Sequence, residues 1–460
     1  MSERAMGCCR PTTDLARCVT AVARPWWACI MPCATALLWS QFALAPLARA
    51  QTFRELPGRH LTLITDLAES PEVDALPAVF DQAVPLWCQY FGLEQQALAD
   101  WRVTGYLMAE GRLFQQAGLV PDDLPPFLNG YARANRLWVF NQPTDYYRRH
   151  LLLHEGVHAL MLSRWQGYGP PWYAEGMAEL LATHQWAEGK LVLPVFPAGR
   201  ESFSGWGRIK LVHEGLKRPD APTFETLMGW PTAAFLENEA YGWAWAACAF
   251  LDGHPRWREA FRQMKQHVRL RRFNQHLQAA VGAAWPELVD EFSVFAHELE
   301  YGHDLEHWAM AFAPGEPLPE GGRTVRVEAN RGWQSTAIRL LAGESYRLKA
   351  TGRYQLASGP PPWLAEANGV SIRYYRRRPL GMLLAAVRRD QESEPAPSAR
   401  DRHAGFLSPL PVGLEARIVP QHGGTLYLKI NDSPAELGDN QGFLEVQIEH
   451  VAAQLQPPAP

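Results

Sequence analysis

The chain has 460 residues, 47% of them hydrophobic and 20% charged, which is enough for about two or three domains with real cores. Its 44 Lys and Arg against 48 Asp and Glu leave it slightly acidic, and this argues against a general nucleic-acid binder. Loss of residues 1–50 would remove five Arg and two acids, leaving 39 basic and 46 acidic residues and a net charge of −7, which strengthens that exclusion.

Those first 50 residues differ from the rest. Arg4, Arg10, Arg17 and Arg24 give a positive start, Trp26 to Ala48 carries no charge, and Ala48-Arg49-Ala50 offers a small-x-small cleavage site before Gln51. The pattern predicts a signal peptide over 1–50 and a secreted, periplasmic or cell-surface protein. The uncharged stretch from Pro25 is also long enough to span a bilayer, so membrane attachment is expected only if the segment stays uncleaved; Pro32 and Pro46 argue against a span. Five of seven cysteines lie in this segment. Cys88 and Cys248 remain, and one disulfide or two buried thiols are both open.

From residue 51 onward, Arg59 to Asp66 is predicted to form a strand, Pro71 to Phe91 a helix, Trp101 to Met108 a second strand and Leu137 to Phe140 a third. Tyr146 to Trp165 is predicted as a buried helix, with Leu151, Leu152, Leu153, Val157, Leu160 and Met161 along it and Gly167, Gly169, Pro170 and Pro171 ending it. Within it stands His154-Glu155-Gly156-Val157-His158. Residues four apart share a helix face, so both imidazoles can hold one metal ion, with Glu155 beside them to activate a water. Gly156 costs the helix about 1 kcal/mol relative to Ala, so something must require its small size.

A third ligand is expected in Pro170-Pro171-Trp172-Tyr173-Ala174-Glu175-Gly176-Met177-Ala178-Glu179. The prolines suit the start of a second helix. A tight turn would bring Glu175 back to face the histidines, and Glu179, one turn further on, suits a supporting role on the free N–H of a ligating His. His-Glu-x-x-His is the arrangement of zinc metallopeptidases. With Glu175 as third ligand the set resembles the gluzincin group; a different zinc class would have a His at Arg164. More closely, the second segment resembles the WxxEGxAE signature of the peptidase MA-like families of secreted bacterial proteins. The resemblance implies zinc on His154, His158 and Glu175, an α+β zincin-like catalytic domain with a small N-terminal sheet and a mostly helical lower half, and a sheet edge that binds extended peptide. Relatives place a Tyr at the head of a later helix to hold the oxyanion. Tyr241, ahead of the apolar run to Leu251, is the best match. His184 and His213 are further candidates for substrate contact, each readable instead as an ordinary surface or capping residue.

Thr223 to about Ala311 is predicted to be mostly helical. Ala313 to Gly322 is rich in Pro and Gly and is expected to be a linker. Beyond it, Thr324–Ala329, Thr336–Leu341, Tyr346–Ala350, Val370–Tyr375, Gly381–Val387, Leu414–Val419, Thr425–Ile430 and Phe443–Ile448 alternate as strands of an all-β sandwich. Arg388 to His403 is expected to be a long exposed loop, the basic runs Arg269–Arg272 and Arg376–Arg378 solvated faces, and the tail over 451–460 disordered. The expected domains are 51–312 and 323–450.

The end of the second domain carries Asn431-Asp432, a loop, and Gly438-Asp439-Asn440. Three acid or amide oxygens within nine residues suit calcium. The segment from Thr324 to His450 resembles galactose-binding bacterial lectins of the LecA (PA-IL-like) type. By that resemblance Asp432, Asp439 and Asn440 are side-chain calcium ligands, and the carbonyls of Glu436 and Leu356 complete the shell. The lectin loop that supplies a His and a Gln to the sugar has no clear equivalent around Trp363 to Gly369. Two functions follow. One is a secreted zinc metallopeptidase acting on protein or peptide by a zinc-activated water, with Glu155 as general base and Tyr241 on the oxyanion, and a β-domain directed at cell-surface or matrix glycans. The other is a non-catalytic extracellular carbohydrate- or protein-binding protein on a zincin scaffold. The intact Glu155 favours the first, because a purely structural zinc site has no use for it.

Overall fold

The short apolar runs that follow residue 52 pair into a five-stranded sheet in a computed structural model, which describes residues 53–390 and 398–451. Strands β1 (Arg54–Pro57), β2 (Leu61–Thr65), β3 (Val103–Met108), β4 (Gly130–Arg133) and β5 (Arg136–Phe140) lie in the order β1-β2-β3-β5-β4. β2, β3 and β5 are parallel, whereas β1 and β4 run antiparallel to their neighbours. Parallel pairing needs crossovers. Helices α1 (Pro71–Asp74) and α2 (Leu76–Phe91) supply the first and α3 (Gly111–Gln116) lies in the second. The helix expected over Pro71–Phe91 is thus interrupted at Ala75. Neither β1 nor the edge strand β4 was foreseen: each is four residues long and lacks apolar alternation.

Helix α4 (Asp145–Trp165) starts where the Thr144 side chain accepts the Tyr147 N–H at 3.1 Å and stops at Gln166, which takes a left-handed backbone. Gly156 on α4 meets α2. A Cβ there would lie 2.5 Å from Phe80 Cε2 and 2.9 Å from Trp87 Cη2, so close helix contact is what requires glycine. Helix α5 (Pro171–Ala182) has proline at its first helical position. A short hairpin of β6 (Gln185–Ala187) and β7 (Lys190–Val192) follows. The rest of this part is helical, as expected: α6 (Arg208–Gly215), α7 (Phe224–Met228), α8 (Asn238–Gly253), α9 (Arg258–Gln263), α10 (Phe273–Val281), α11 (Trp285–Glu298) and α12 (Leu305–Trp308). Helix α8 is buried along most of its length and packs on α5 and α6. Cys88 and Cys248 are buried free thiols, so the disulfide alternative is not realised.

The C-terminal part is built of strands: β8 (Glu316–Pro317), β9 (Arg323–Glu328), β10 (Gln334–Leu340), β11 (Tyr346–Thr351), β12 (Tyr354–Ala357), β13 (Trp363–Ala365), β14 (Asn368–Tyr375), β15 (Arg378–Arg389), β16 (Leu410–Pro411), β17 (Glu415–Ile418), β18 (Gly424–Ile430) and β19 (Gln441–His450). One sheet runs β14-β15-β18-β10-β8, with β16 on β15; the other runs β13-β12-β19-β11-β17, with β9 on β19. Ile338, Leu383 and Leu428 from the first and Leu348, Leu444 and Val446 from the second share one core. The molecule is a mixed α/β protein with several sheets.

Two sequence expectations need correction here. The stretch over 313–322 is not wholly free, since β8 pairs in parallel with β10. The described ends of the stretch Arg388 to His403 are not exposed loop either. β15 continues to Arg389, and Ser398 opens helix α13 (Ala399–Leu407) with a capping box. Arg388, Arg402 and His403 look inward because Asp290 of α11 is fully buried and receives Arg388 at 2.8 Å and Arg402 at 3.0 Å. Lys429 reaches Glu298 at 2.7 Å across the same boundary, and Trp333, Phe406 and Tyr427 join the hydrophobic core of the helical part. The expected signal peptide over 1–50 and nearly all of the tail lie outside the described residues. No helix among the described residues is long and apolar enough to cross a membrane.

Candidate metal centre

Helices α4 and α5 are joined by only residues 166–170, so the start of α5 returns against the middle of α4. His154 and His158, one turn apart, then face Glu175. His154 Nε2 lies 3.1 Å from Glu175 Oε2 and 3.2 Å from His158 Nε2, and His158 Nε2 lies 3.4 Å from the same carboxylate oxygen. A tetrahedral ion with bonds of roughly 2.0–2.1 Å holds its ligand atoms about 3.3 Å apart. The three donor atoms therefore already form one face of such a site.

Support comes from behind. Glu179 is almost fully buried, and its Oε1 lies 3.4 Å from His154 Nδ1. That contact places a proton on Nδ1 and leaves the Nε2 lone pair for a metal. Arg208 at the start of α6 donates to both oxygens of Glu179 at 2.8 Å, and His150 Nε2 lies 3.1 Å from its Oε2. His150, His154 and Glu179 also lie close enough together to ligate an ion. The Arg208 guanidinium occupies both Glu179 oxygens, however, so a cation there would meet a like charge. The cluster of His154, His158 and Glu175 is the one suited to a metal.

Charge agrees with geometry. Burial opposes the charged forms throughout, but the hydrogen bonds and charges of Glu175 and Glu179 outweigh it at His154 and raise its pKa well above the usual imidazole range. At Glu175 the opposing charges of His158 and His154 prevail over burial and bring the carboxyl down to about 2. Glu179 is likewise held far below the carboxylate range, chiefly by Arg208 acting against burial. Glu155 differs: burial raises its pKa, and the two histidines offset this only in part. Arg208 pairs Glu179, so Glu155 and Glu175 are the carboxyl groups left to face a cation here, and a dication beside them would favour their charged forms.

Edge strand β4 runs beside Glu155. A Cβ on Gly130 would lie 2.5 Å from Glu155 Oε1, so the backbone of the edge strand touches this carboxylate. Tyr241, in the first turn of α8, packs its ring 6.1 Å from that of His154, with Arg208 over its face at 5.6 Å. Its phenol is pushed up by burial and then by Glu175 and Glu155. Tyr168, in the α4–α5 loop, meets His158 edge-on at 5.5 Å.

The structure thus brings together His154, Glu155, His158, Glu175, Glu179 and Tyr241. His184 and His213 are not in the site. His184 is fully buried, stacked on Tyr146 and bonded to the Ala182 carbonyl, not a surface residue; His213 meets the Leu299 carbonyl. The sequence reading missed His150, Arg208, Gly130 and Tyr168. His150 alone carried a signal, standing four residues before His154 on the same face.

No protein-family model matches this chain, and no curated protein does. A solved structure described as "EclA N-terminal domain; PllA-like lectin" is similar to 28% of this chain and 95% of that one, with 22% identity and a TM-score of 0.21.

In the strand-rich part, Asp432 and Asn440 are buried together. Asn440 Nδ2 donates to Asp432 Oδ2 at 2.9 Å and to the Ala329 carbonyl at 3.1 Å, while Asn440 Oδ1 is buried with no partner among the described residues. Leu356 follows Gln355, which pairs with Gln441, so it comes level with Asn440. Asp439 is exposed and bonded to neither, and the Glu436 carboxylate is taken by Arg373 at 2.8 Å. The loop itself is docked on the helical part: the Asp304 N–H donates to the Pro434 carbonyl at 3.0 Å, Ser433 donates to the Glu300 carboxylate, and Leu437 is buried in the helical core.

Proposed function

We propose that the chain is a zinc-dependent metallopeptidase that hydrolyses peptide bonds in proteins or peptides. One observation carries the reading: three donor atoms 3.1–3.4 Å apart, set on two short-linked helices, lie beside a buried carboxylate that is not among them. His154, His158 and Glu175 would hold zinc, which when bound polarises a carbonyl and acidifies water. Glu155 takes the proton from the attacking water and delivers it to the leaving amine as the C–N bond breaks; its raised pKa suits both transfers. Tyr241 donates to the carbonyl oxygen as it gains charge. Glu179 and Arg208 hold His154 in its tautomer. Strand β4, open on one side, pairs with extended substrate beside Glu155. The export features of residues 1–50 put this activity outside the cytoplasm.

A diverse peptide library tests this reading. Cleavage should require zinc and stop on chelation; zinc bound without any cleavage would favour the non-catalytic alternative. Gly130→Ala should lower kcat/KM by about 100-fold with zinc content unchanged, because its methyl displaces Glu155 or the edge strand. Steady-state kinetics beside metal analysis will show it.

A second reading concerns the strand-rich part. The buried Asp432 and the unpartnered Asn440 Oδ1 favour a cation there, calcium by ligand chemistry, as in the lectin resemblance. Since the loop is docked on residues 300–307, calcium would tie the two parts together as well as serve any glycan contact. A glycan array with the full chain, with and without calcium, checks the targeting role; binding that ignores calcium would remove calcium from it.

A further inference from the structure

We propose that Tyr168 is a substrate-binding residue of the metal cleft, its hydroxyl donating a hydrogen bond to the peptide backbone next to the scissile bond. The inference rests on the metallopeptidase reading and names a residue that reading does not need.

The loop carrying Tyr168 is fastened. Gln166 turns the chain out of α4 with a left-handed backbone, and Gly169 does the same before α5, with φ +80°. The Gly169 N–H donates to the Val268 carbonyl at 3.0 Å, and Gly167 lies against the same carbonyl. A tyrosine held between two anchored glycines has little freedom of position. Its ring meets His158 at 5.5 Å with the planes 85° apart, as Tyr241 meets His154 on the other ligand. Tyr168 is half-buried, and its hydroxyl has no hydrogen-bond partner among the described residues. Tyr168 thus stands against one metal ligand and Tyr241 against the other, and the backbone of β4 touches Glu155 at Gly130. A peptide that reaches the metal along β4 meets the His158 side of the site, where this unpartnered hydroxyl can donate to its backbone.

A purely structural role would need only the ring against His158, which Phe retains. Tyr168→Phe in the zinc-loaded full chain should raise KM and lower kcat/KM about tenfold, the worth of one hydrogen bond. It should also weaken binding of a peptide hydroxamate about tenfold, with zinc content unchanged. Values within twofold of wild type in both assays would overturn the assignment while leaving the metallopeptidase reading intact. A wild-type protein that holds zinc yet neither cleaves peptides nor binds the hydroxamate would overturn that reading and this inference with it.

Discussion

Glu155→Gln is expected to lower kcat/KM by roughly 10²–10⁴-fold, the range for loss of a general base. The substitution keeps the shape of the side chain and removes its basicity. The folded protein should tolerate it well, because the carboxylate makes no hydrogen bond among the described residues and burial already disfavours its charge. It is not among the three metal donors, so zinc stoichiometry should not change. Kinetics on a cleaved library peptide, beside metal analysis and a thermal melt, separate these effects. Activity within tenfold of wild type would remove Glu155 from the reaction.

The second large effect is expected at Arg208. Its guanidinium makes a two-pronged contact with Glu179, with both side chains almost fully buried. Arg208→Met leaves a buried carboxylate facing only His150 and His154. Breaking one side of a buried ion pair costs about 3–5 kcal/mol, because the remaining charge is uncompensated. Glu179 also orients His154, so zinc affinity should fall about 10–100-fold. Denaturant unfolding and a zinc titration measure the two losses. Adding Glu179→Gln to Arg208→Met should return part of the stability and none of the zinc affinity, since the amide removes the stranded charge but its oxygen accepts from His154 Nδ1 more weakly than the carboxylate does. A stability change below about 1 kcal/mol for Arg208→Met would show that the pair is not the brace described here.

How much of this was legible depended on sequence distance. The two histidines, Glu155 and Glu175 could be read because helical periodicity fixes relations four residues apart, and prolines and glycines marked the turn between the helices. Glu179 followed from the same periodicity. Arg208 stands 29 residues beyond Glu179 with nothing between to mark the pairing. Gly130 lies on a strand of four residues whose pairing is set by β5 alone, and a short edge strand leaves no pattern of its own. In the strand-rich part the eight alternating runs all became strands; period-two burial is plain in β10, β11 and β19, while β18 is buried along its whole length. The segment around His403 failed because its charges are satisfied inside the molecule by Asp290, which a one-dimensional reading takes for solvent exposure. The same limit applies to the loop from Asp432 to Asn440: its oxygen-bearing residues were visible, but its docking against Asp304 and Glu300 was not.

The central claim is that His154, His158 and Glu175 together bind one zinc ion. Native mass spectrometry of the purified full chain, with element-resolved metal analysis, tests it most directly when run beside His158→Ala and Glu175→Ala. One zinc per chain in the wild type, lost or greatly reduced in both variants while each stays folded, is the predicted result. A wild-type protein that takes up no zinc when it is supplied, or a Glu175→Ala variant that retains it at full stoichiometry and affinity, would contradict the account.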